Sequence, residues 1–176
     1  MSWKTRATRA IPAALAVLML LASLVTPAVA AEPERIGRNG DWSAFTLQRG
    51  GGKVCYMASS PTKAEGDYTA RGEIFALVTN DPKAGIRGEV SIVTGYTYRS
   101  DSQVTVQIGG AIFDMFTSGD RAWTQGPEED EPLVQAMIRG SDMVVKGVSS
   151  RGTLTTDTYS LSGFTATKKL IDQACP

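Results

Sequence analysis

The chain has 176 residues, with 18 basic and 18 acidic side chains and no histidine. This length suits one domain with a single core. Without a basic stripe, the chain lacks the electrostatic footprint of a nucleic-acid-binding protein. The missing histidine excludes Ser-His-Asp and Cys-His catalysis and the usual histidine-rich zinc sites. We therefore expect no nucleic-acid partner, no cofactor and no metal.

The first thirty residues have the pattern of a signal peptide. Basic residues between Lys4 and Arg9 precede an apolar stretch at 11–25, and Ala30 ends an A-x-A cleavage site. An uncleaved membrane anchor is the alternative, but the apolar stretch is shorter than the roughly 20 residues that span a bilayer, and Pro27 interrupts it. We expect a periplasmic, secreted or outer-surface protein without a transmembrane anchor. Cleavage would leave 15 basic and 18 acidic side chains, a net charge of −3.

The only two cysteines are Cys55 and Cys175. In an exported chain, two cysteines indicate a disulfide formed in an oxidising compartment. Two buried free thiols fit less well after export, and a reactive pair fits less well still because no C-x-x-C motif is present. We predict a Cys55–Cys175 disulfide, which by chain entropy would contribute on the order of 5 kcal/mol to stability.

Alternating apolar residues and regularly spaced turn residues predict about nine short strands. Residues 31–41 are polar and are expected to form a flexible N-terminal segment before a single domain at 42–176. The predicted strands cover residues 42–47, 53–58, 73–79, 87–98, 104–108, 111–117, 121–124, 143–149 and 153–160.

Two short helices are predicted beside these strands. Apolar residues recur at helical spacing from Leu133 to Ile138, just before Gly140. Ser162 is a suitable N-cap for a second, C-terminal helix that begins near Phe164. About nine strands with two short helices, one of them C-terminal, predict an all-β protein, an antiparallel β-sandwich or flattened barrel.

Two polar stretches, 59–71 and 125–132, are predicted to be exposed loops because both contain proline and many charged or small residues. Long loops on a rigid scaffold are where binding residues are usually found. The candidate interaction residues are Ser60, Lys63, Glu65, Asp67, Tyr68, Glu128, Glu129, Asp130 and Glu131.

Three patterns superficially match chemical motifs. Ser60 and Lys63 have the S-x-x-K spacing of serine acyltransferases, but Pro61 and the polar surroundings oppose the helix that this motif needs. The glycines of 50–53 do not meet the spacing of a phosphate-binding loop, and a hairpin turn explains them. The acidic run 128–131 lacks the alternating oxygen ligands around a glycine that calcium loops use. None of the three predicts a site.

Acidic and aromatic residues remain as candidates for a site. Asp114, Asp120 and Asp157 could form a glycosidase-like carboxylate pair, but nothing in their spacing selects one. Aromatic residues could line a groove, although in a small sandwich they usually belong to the core, with some tyrosines at the rim. These aromatic residues are Trp42, Tyr56, Tyr96, Tyr98, Trp123 and Tyr159.

Several short segments occur together in a known order. They are Trp42 with Phe45, Lys53 to Tyr56 with Pro61, Gly95-Tyr96, Gly119 to Trp123, Ser150 to Thr153, Asp157 to Phe164 and the closing Cys175. On these residues the chain resembles the invasion-associated locus B (IalB) family of exported α-proteobacterial proteins, in a shorter subgroup with two cysteines.

The resemblance implies a periplasmic or outer-surface β-sandwich that is linked by name to host-cell invasion and has no established enzymatic activity. Longer members have cysteines near the first tryptophan, where this chain has Ser43 and Ala44, which supports a one-disulfide domain.

The functional hypothesis is an exported, non-enzymatic interaction module of the bacterial cell envelope, associated with host-cell invasion or envelope stress, whose partner is an unknown envelope or host protein. The alternatives are a small envelope-polymer hydrolase that uses acidic residues and a periplasmic enzyme inhibitor.

Overall fold

The computed structural model describes residues 32–176. The predicted signal peptide, residues 1–30, lies outside the described residues. All strands belong to one antiparallel sheet. In chain order they are β1 Glu34–Asn39, β2 Trp42–Arg49, β3 Gly52–Ser59, β4 Lys63–Gly66, β5 Phe75–Asp81, β6 Ile86–Val93, β7 Gln103–Ile108, β8 Ala111–Ser118, β9 Arg121–Trp123, β10 Asp142–Val148 and β11 Leu154–Ser160.

Two α-helices accompany the sheet, α1 at Pro127–Arg139 and α2 at Phe164–Ala174, and a 3₁₀ turn at Pro82–Ala84 joins β5 to β6. Within residues 32–176, neither helix has the length and apolarity to cross a membrane. The predicted all-β class, with two helices of which one is C-terminal, is confirmed. The strand count is eleven and not nine.

The strand order shows that the sheet curls strongly. Neighbouring strands follow the order β1-β2-β3-β5-β6-β9-β8-β7-β10-β11-β4. Only residues 60–62 connect β3 to β4, yet β4 pairs with β11 at the far end of the sheet. The two ends of the sheet are therefore brought together around a common interior, as in a sandwich or flattened barrel.

The interior is filled by alternate residues of the strands and by one face of each helix. Trp42 is fully buried, stacks edge-to-face on Phe164 of α2 with ring centroids 5.0 Å apart, and donates its indole N–H to the Ser160 carbonyl at 3.0 Å. The predicted disulfide between Cys55 and Cys175 is confirmed, with Cα atoms 5.9 Å apart and both residues buried. It holds the end of α2 on β3.

Two strands lie where the sequence predicted no regular structure. The segment 31–41, expected to be flexible, contains β1, which pairs with β2, and the expected loop 59–71 contains β4, which pairs with β11. Both are edge strands with many exposed polar side chains. An edge strand is held by its backbone hydrogen bonds, so it needs no apolar alternation that a sequence pattern could reveal.

The expected loop at 125–132 is largely helical, because α1 begins at Pro127 rather than near Leu133. Proline suits the first helical position, and acidic side chains suit the first turn. The Glu129 carboxylate also accepts a hydrogen bond from the backbone N–H of Gln125 at 2.9 Å. Pro132, which suggested a loop, lies inside the helix.

The start of α2 also differs from the prediction. Its N-cap is Gly163 in a left-handed conformation (φ +85°), not Ser162. The Ser162 carbonyl instead accepts a hydrogen bond from the backbone of Asp41 at 3.1 Å. A Cβ at Gly163 would overlap the carbonyl oxygen of Asn39. Glycine is required here because the β1–β2 turn packs directly against the backbone.

Candidate functional site: the Arg71 pocket

A pocket of about 340 Å³ opens between the segment that precedes β5 and the turn that joins β10 to β11. We call it the Arg71 pocket. Its walls combine aromatic, hydroxyl and charged side chains from three separate parts of the chain. The lining residues are Asp67, Tyr68, Thr69, Ala70, Arg71, Tyr96, Ser149, Arg151, Thr153 and Thr155.

A buried ion pair between Arg71 and Asp157 organises this pocket. The guanidinium donates two hydrogen bonds to the carboxylate, at 2.7 and 2.5 Å. The two side chains are only 4% and 2% exposed. The same guanidinium donates to the carbonyl and the hydroxyl of Thr94, at 2.7 and 2.9 Å. With two parallel bonds to one carboxylate, the pair has the bidentate geometry that fixes orientation most strongly.

Two tyrosines flank the Arg71 guanidinium. Its central carbon lies 4.9 Å from the ring centroid of Tyr96 and 5.5 Å from that of Tyr68, distances typical of cation–π contacts. The Tyr96 hydroxyl forms a 2.6 Å hydrogen bond with the Thr155 hydroxyl, which fixes the ring on the sheet. The pocket therefore has a preformed aromatic wall held by a charged centre.

A close glycine contact positions Arg71. The backbone N–H of Gly72 donates to the Gly95 carbonyl at 2.9 Å. Gly95 has φ +72°, and a Cβ there would lie 2.5 Å from the Gly72 carbonyl oxygen. Because neither backbone carries a side chain at this point, the segment with Arg71 can lie directly on the residue that precedes Tyr96.

Burial shapes the electrostatics beneath the pocket. Burial acts to lower the pKa of Arg71, but the hydrogen bonds and charge of Asp157 outweigh it, and the pKa is raised. Burial also raises the pKa of Tyr98 and of Tyr159. The buried Tyr159 hydroxyl has no hydrogen-bond partner among residues 32–176. The layer below the pocket thus consists of the uncharged side chains of Tyr98 and Tyr159 and of the Arg71–Asp157 pair, whose two charges neutralise each other.

The rim of the pocket retains groups that are free to bind. Arg151 and Asp67 are exposed, and neither forms an ion pair within the part of the chain that the structure describes. The Ser149 hydroxyl accepts a hydrogen bond from the Thr153 backbone at 3.1 Å, which orders the turn that carries Arg151. The arrangement can bind a polar ligand through a cation, a carboxylate and aromatic faces.

The candidate residues from the predicted loop 59–71 lie in three different places. Asp67 and Tyr68 line the Arg71 pocket. Lys63 and Glu65 lie on β4 and pair with each other at 2.8 Å on the surface. Ser60 lies beside a different hollow, near Phe45.

The candidate residues near α1 do not form part of the pocket. Glu128 and Glu129 lie beside Asp114 at a shallow depression, and Glu131 is exposed and accepts a hydrogen bond from Gln135 at 2.9 Å. Asp130 was expected to be exposed but is buried. Its Oδ1 accepts from the Val90 backbone at 2.8 Å and the Thr124 hydroxyl at 2.7 Å. Burial raises the pKa of Asp130. Among residues 32–176, no group of acidic or cysteine side chains is arranged to hold a metal.

The predicted aromatic residues also separate. Trp42, Tyr98 and Tyr159 are buried in the core as expected. Tyr96 lines the Arg71 pocket. Tyr56 and Trp123 are half-buried on strand faces that point away from the core. Trp123 therefore departs from the expected core position, whereas the expectation allowed some tyrosines outside the core.

The site residues that the sequence reasoning missed are Arg71, Ser149, Arg151 and Thr153. Arg71 lies at the end of a stretch interpreted as a loop, and no local pattern marks its partner Asp157, 86 positions away. One signal was present in the sequence. The segment Ser150 to Thr153, which carries the family resemblance, forms part of the pocket wall.

Comparison with known proteins gives one family and one solved structure. The model of the family described as invasion associated locus B (IalB) protein matches residues 42–172. Among curated proteins there is no match. The fold is similar to the crystal structure of invasion associated protein B from Bartonella henselae, with a TM-score of 0.56 and 16% sequence identity over 82% of this chain and 97% of that chain. The chain therefore belongs to the invasion associated locus B family.

Proposed function

We propose that this protein is an exported, non-enzymatic interaction module of the bacterial cell envelope and that it binds its partner through the Arg71 pocket. The observation that carries the proposal is the buried Arg71–Asp157 pair, which fixes one wall of the pocket while Tyr68 is half-buried and Arg151 is exposed. A preformed concave site with a few oriented polar groups is typical of a binding site.

Export is supported by two features. The disulfide between Cys55 and Cys175 is typical of proteins that fold in an oxidising compartment outside the cytoplasm. The first thirty residues have the signal-peptide pattern described above. A role in host-cell invasion is suggested by the family description and by the name of the Bartonella protein.

The geometry favours binding over hydrolysis. Glycosidases need two carboxyl groups that face the same bond with different protonation states. Of the three aspartates considered, Asp157 is occupied by Arg71 and lies below the pocket floor. Asp114 is exposed on β8, and Asp120 lies in the β8–β9 turn. Neither lines the Arg71 pocket.

Affinity capture with the tagged mature protein from the native envelope fraction tests the proposal. We expect one partner to be retained by the wild type and lost by Tyr68→Ala and by Arg151→Glu, because both side chains line the pocket without filling the core. Lys146→Glu is the control, since it makes the same charge change on an exposed residue of β10 outside the pocket.

Four results would contradict the proposal. Retention of the partner by both pocket variants would move the binding site elsewhere, and loss in Glu128→Lys alone would place it at the start of α1. Release of soluble fragments from purified peptidoglycan by the wild type would favour the envelope hydrolase. Stoichiometric inactivation of a captured envelope-degrading enzyme would favour the inhibitor.

A further inference from the structure

Half of the sheet carries apolar side chains on both of its faces, the face that covers the core and the face that points outward. On β2, β3, β5, β6, β9 and β8, the residues that point away from the core include many large apolar side chains, and we call this surface the outer apolar face. By contrast, outward residues of β7, β10 and β11 include Gln103, Gln107, Lys146, Thr156 and Thr158. The outer apolar face comprises Phe45, Tyr56, Ala58, Phe75, Leu77, Val93, Phe116 and Trp123.

One end of the outer apolar face is a projecting aromatic pair. Phe116 and Trp123 face each other across β8 and β9, and their rings stack with centroids 5.7 Å apart and an interplanar angle of 26°. Phe116 remains 40% exposed. Arg121 lies two residues before Trp123 on the same face and is exposed. Exposed aromatic side chains of this size are the usual anchors of protein interfaces.

The opposite end of the same face is a hollow of about 370 Å³. Its floor has the small side chains Ser43 and Ala58, and its walls include Phe45 and Phe75. The pairing register of the strands places the floor of the hollow and the aromatic pair in one row across the sheet. That row runs Ser43, Ala58, Leu77, Ser91, Trp123 and Phe116.

We propose that the outer apolar face binds a second copy of this chain. A two-fold axis along β5 would place Leu77 against its own counterpart and would bring the aromatic pair of each copy over the hollow of the other. Large side chains then meet small ones twice in the same interface. Such an isologous contact closes on itself and yields a dimer rather than a filament.

The charges at the two ends support the same arrangement. Asp41 and Arg38 lie at the edge of the hollow, and Arg121 lies at the other end of the face, on the same strand as Trp123. Asp41 precedes β2 and lines the hollow together with Phe75, which shares a cross-strand row with Val93 and Arg121. The proposed axis therefore places Asp41 of one copy near Arg121 of the other. Complementary charges at the rim of an interface fix its register.

No residue of the Arg71 pocket belongs to the outer apolar face, although Tyr96 also lines a hollow with Phe75, Leu77 and Val93 of that face. The dimer would leave the Asp67 and Arg151 sides of the pocket open, because neither residue lines that hollow. Each dimer would carry two pockets. If both engage one repetitive surface, the second contact becomes intramolecular and overall binding is strengthened. This proposal does not depend on the proposed function of the pocket.

Sedimentation velocity of the full mature chain over a range of concentrations measures the dimer directly. We expect a reversible dimer that is weakened roughly tenfold or more by Phe116→Ser, which removes an anchor, and by Ser43→Phe, which fills the hollow. Ile112→Ser is the matched control. Ile112 is 65% exposed and lies on the same strand as Phe116, outside the aromatic pair and the hollow. We expect it to dimerise like the wild type.

A charge exchange tests the orientation of the two copies. Asp41→Arg and Arg121→Asp should each weaken the dimer, and the double variant should recover affinity toward the wild-type value. Circular dichroism melting of every variant verifies folding. A wild type that stays monomeric at all concentrations would overturn the proposal, as would a dimer unaffected by both Phe116→Ser and Ser43→Phe. A double variant as weak as the single variants would overturn the two-fold arrangement.

Discussion

The guanidinium of Arg71 and the carboxylate of Asp157 face each other in the interior, joined by two hydrogen bonds of 2.7 and 2.5 Å. One residue belongs to the segment before β5 and the other to β11, which is not a hydrogen-bonded neighbour of β5 in the sheet. The pair therefore fastens an irregular segment to the curled sheet. Because this segment forms one wall of the pocket, the same bond that supports the fold also shapes the candidate site.

Removing one member of this pair should be strongly destabilising. In Arg71→Met the Asp157 carboxylate stays buried without its partner, and breaking a buried pair typically costs about 3–5 kcal/mol. Urea unfolding followed by circular dichroism should show a loss of this size. Lys63→Met is the control, because Lys63 and Glu65 form an exposed pair, which typically contributes less than about 1 kcal/mol.

A double replacement distinguishes the loss of the ion pair from the cost of leaving one charge buried without a partner. Arg71→Met combined with Asp157→Leu removes both charges, so the double variant should be more stable than either single variant. Equal losses in Arg71→Met and Lys63→Met would contradict the description of the Arg71 pair as a structural centre.

The contact between Gly72 and Gly95 should tolerate no side chain. Gly95→Ala adds a methyl group 2.5 Å from the Gly72 carbonyl oxygen and also places alanine at φ +72°. Gly119→Ala is the matched control because φ is +62° and the space around it is open. Gly119→Ala should lose about 1 kcal/mol from backbone strain alone, and Gly95→Ala clearly more. An equal loss of unfolding free energy in Gly95→Ala and Gly119→Ala would show that the backbone at Gly72 can move away from the added methyl group at no energetic cost.

The disulfide should contribute a large part of the stability. Cys55 and Cys175 are separated by 120 residues, and a chain-entropy estimate for such a loop is about 5 kcal/mol, with typical measured values of about 2–4 kcal/mol. The Cys55→Ala, Cys175→Ala double variant should unfold at a correspondingly lower urea concentration. Reduction of the wild type should have the same effect. An unchanged unfolding midpoint after verified reduction would contradict the expectation.

The buried carboxylate of Asp130 should make stability depend on pH in the acidic range. Burial raises its pKa, so between the unfolded and folded pKa values the folded protein holds a proton that the unfolded chain has released. The stability linked to this group is complete below the unfolded pKa, about 4, and declines as the pH rises through the folded pKa.

Asp130→Asn removes this dependence, because its side-chain oxygen can still accept from Val90 and Thr124 while the charge is absent. Relative to the wild type, the free energy of unfolding of the variant should increase from acidic to neutral pH. Burial and the charge of Asp130 both raise the pKa of Glu89, so the variant should also lower that pKa, measurable by NMR titration. Asp130→Ala, which leaves two donors unpaired, should lose about 1–3 kcal/mol. A pH-independent difference between Asp130→Asn and wild type would contradict the assignment.

Much of the fold could be predicted from local patterns. Most strands are short runs rich in apolar or β-branched residues between turn residues, and α2 has apolar residues at helical spacing, so their positions follow from the sequence alone. β1 and β4 escaped prediction because edge strands are held by backbone pairing, β1 to the adjacent β2 and β4 to the distant β11, and need no apolar alternation. The first turn of α1 escaped it because its acidic residues and proline suit both a loop and a helix N-terminus.

The sequence by itself determined the all-β class, the two helices and the disulfide, since each depends on a residue's neighbours or on the presence of only two cysteines. Tertiary structure alone decided that Arg71 meets Asp157, that Asp130 is buried and that Phe116 and Trp123 face outward. The physical reason is that strand periodicity defines two faces but not which face is covered. Pairing between side chains 86 positions apart is set by how the whole sheet curls.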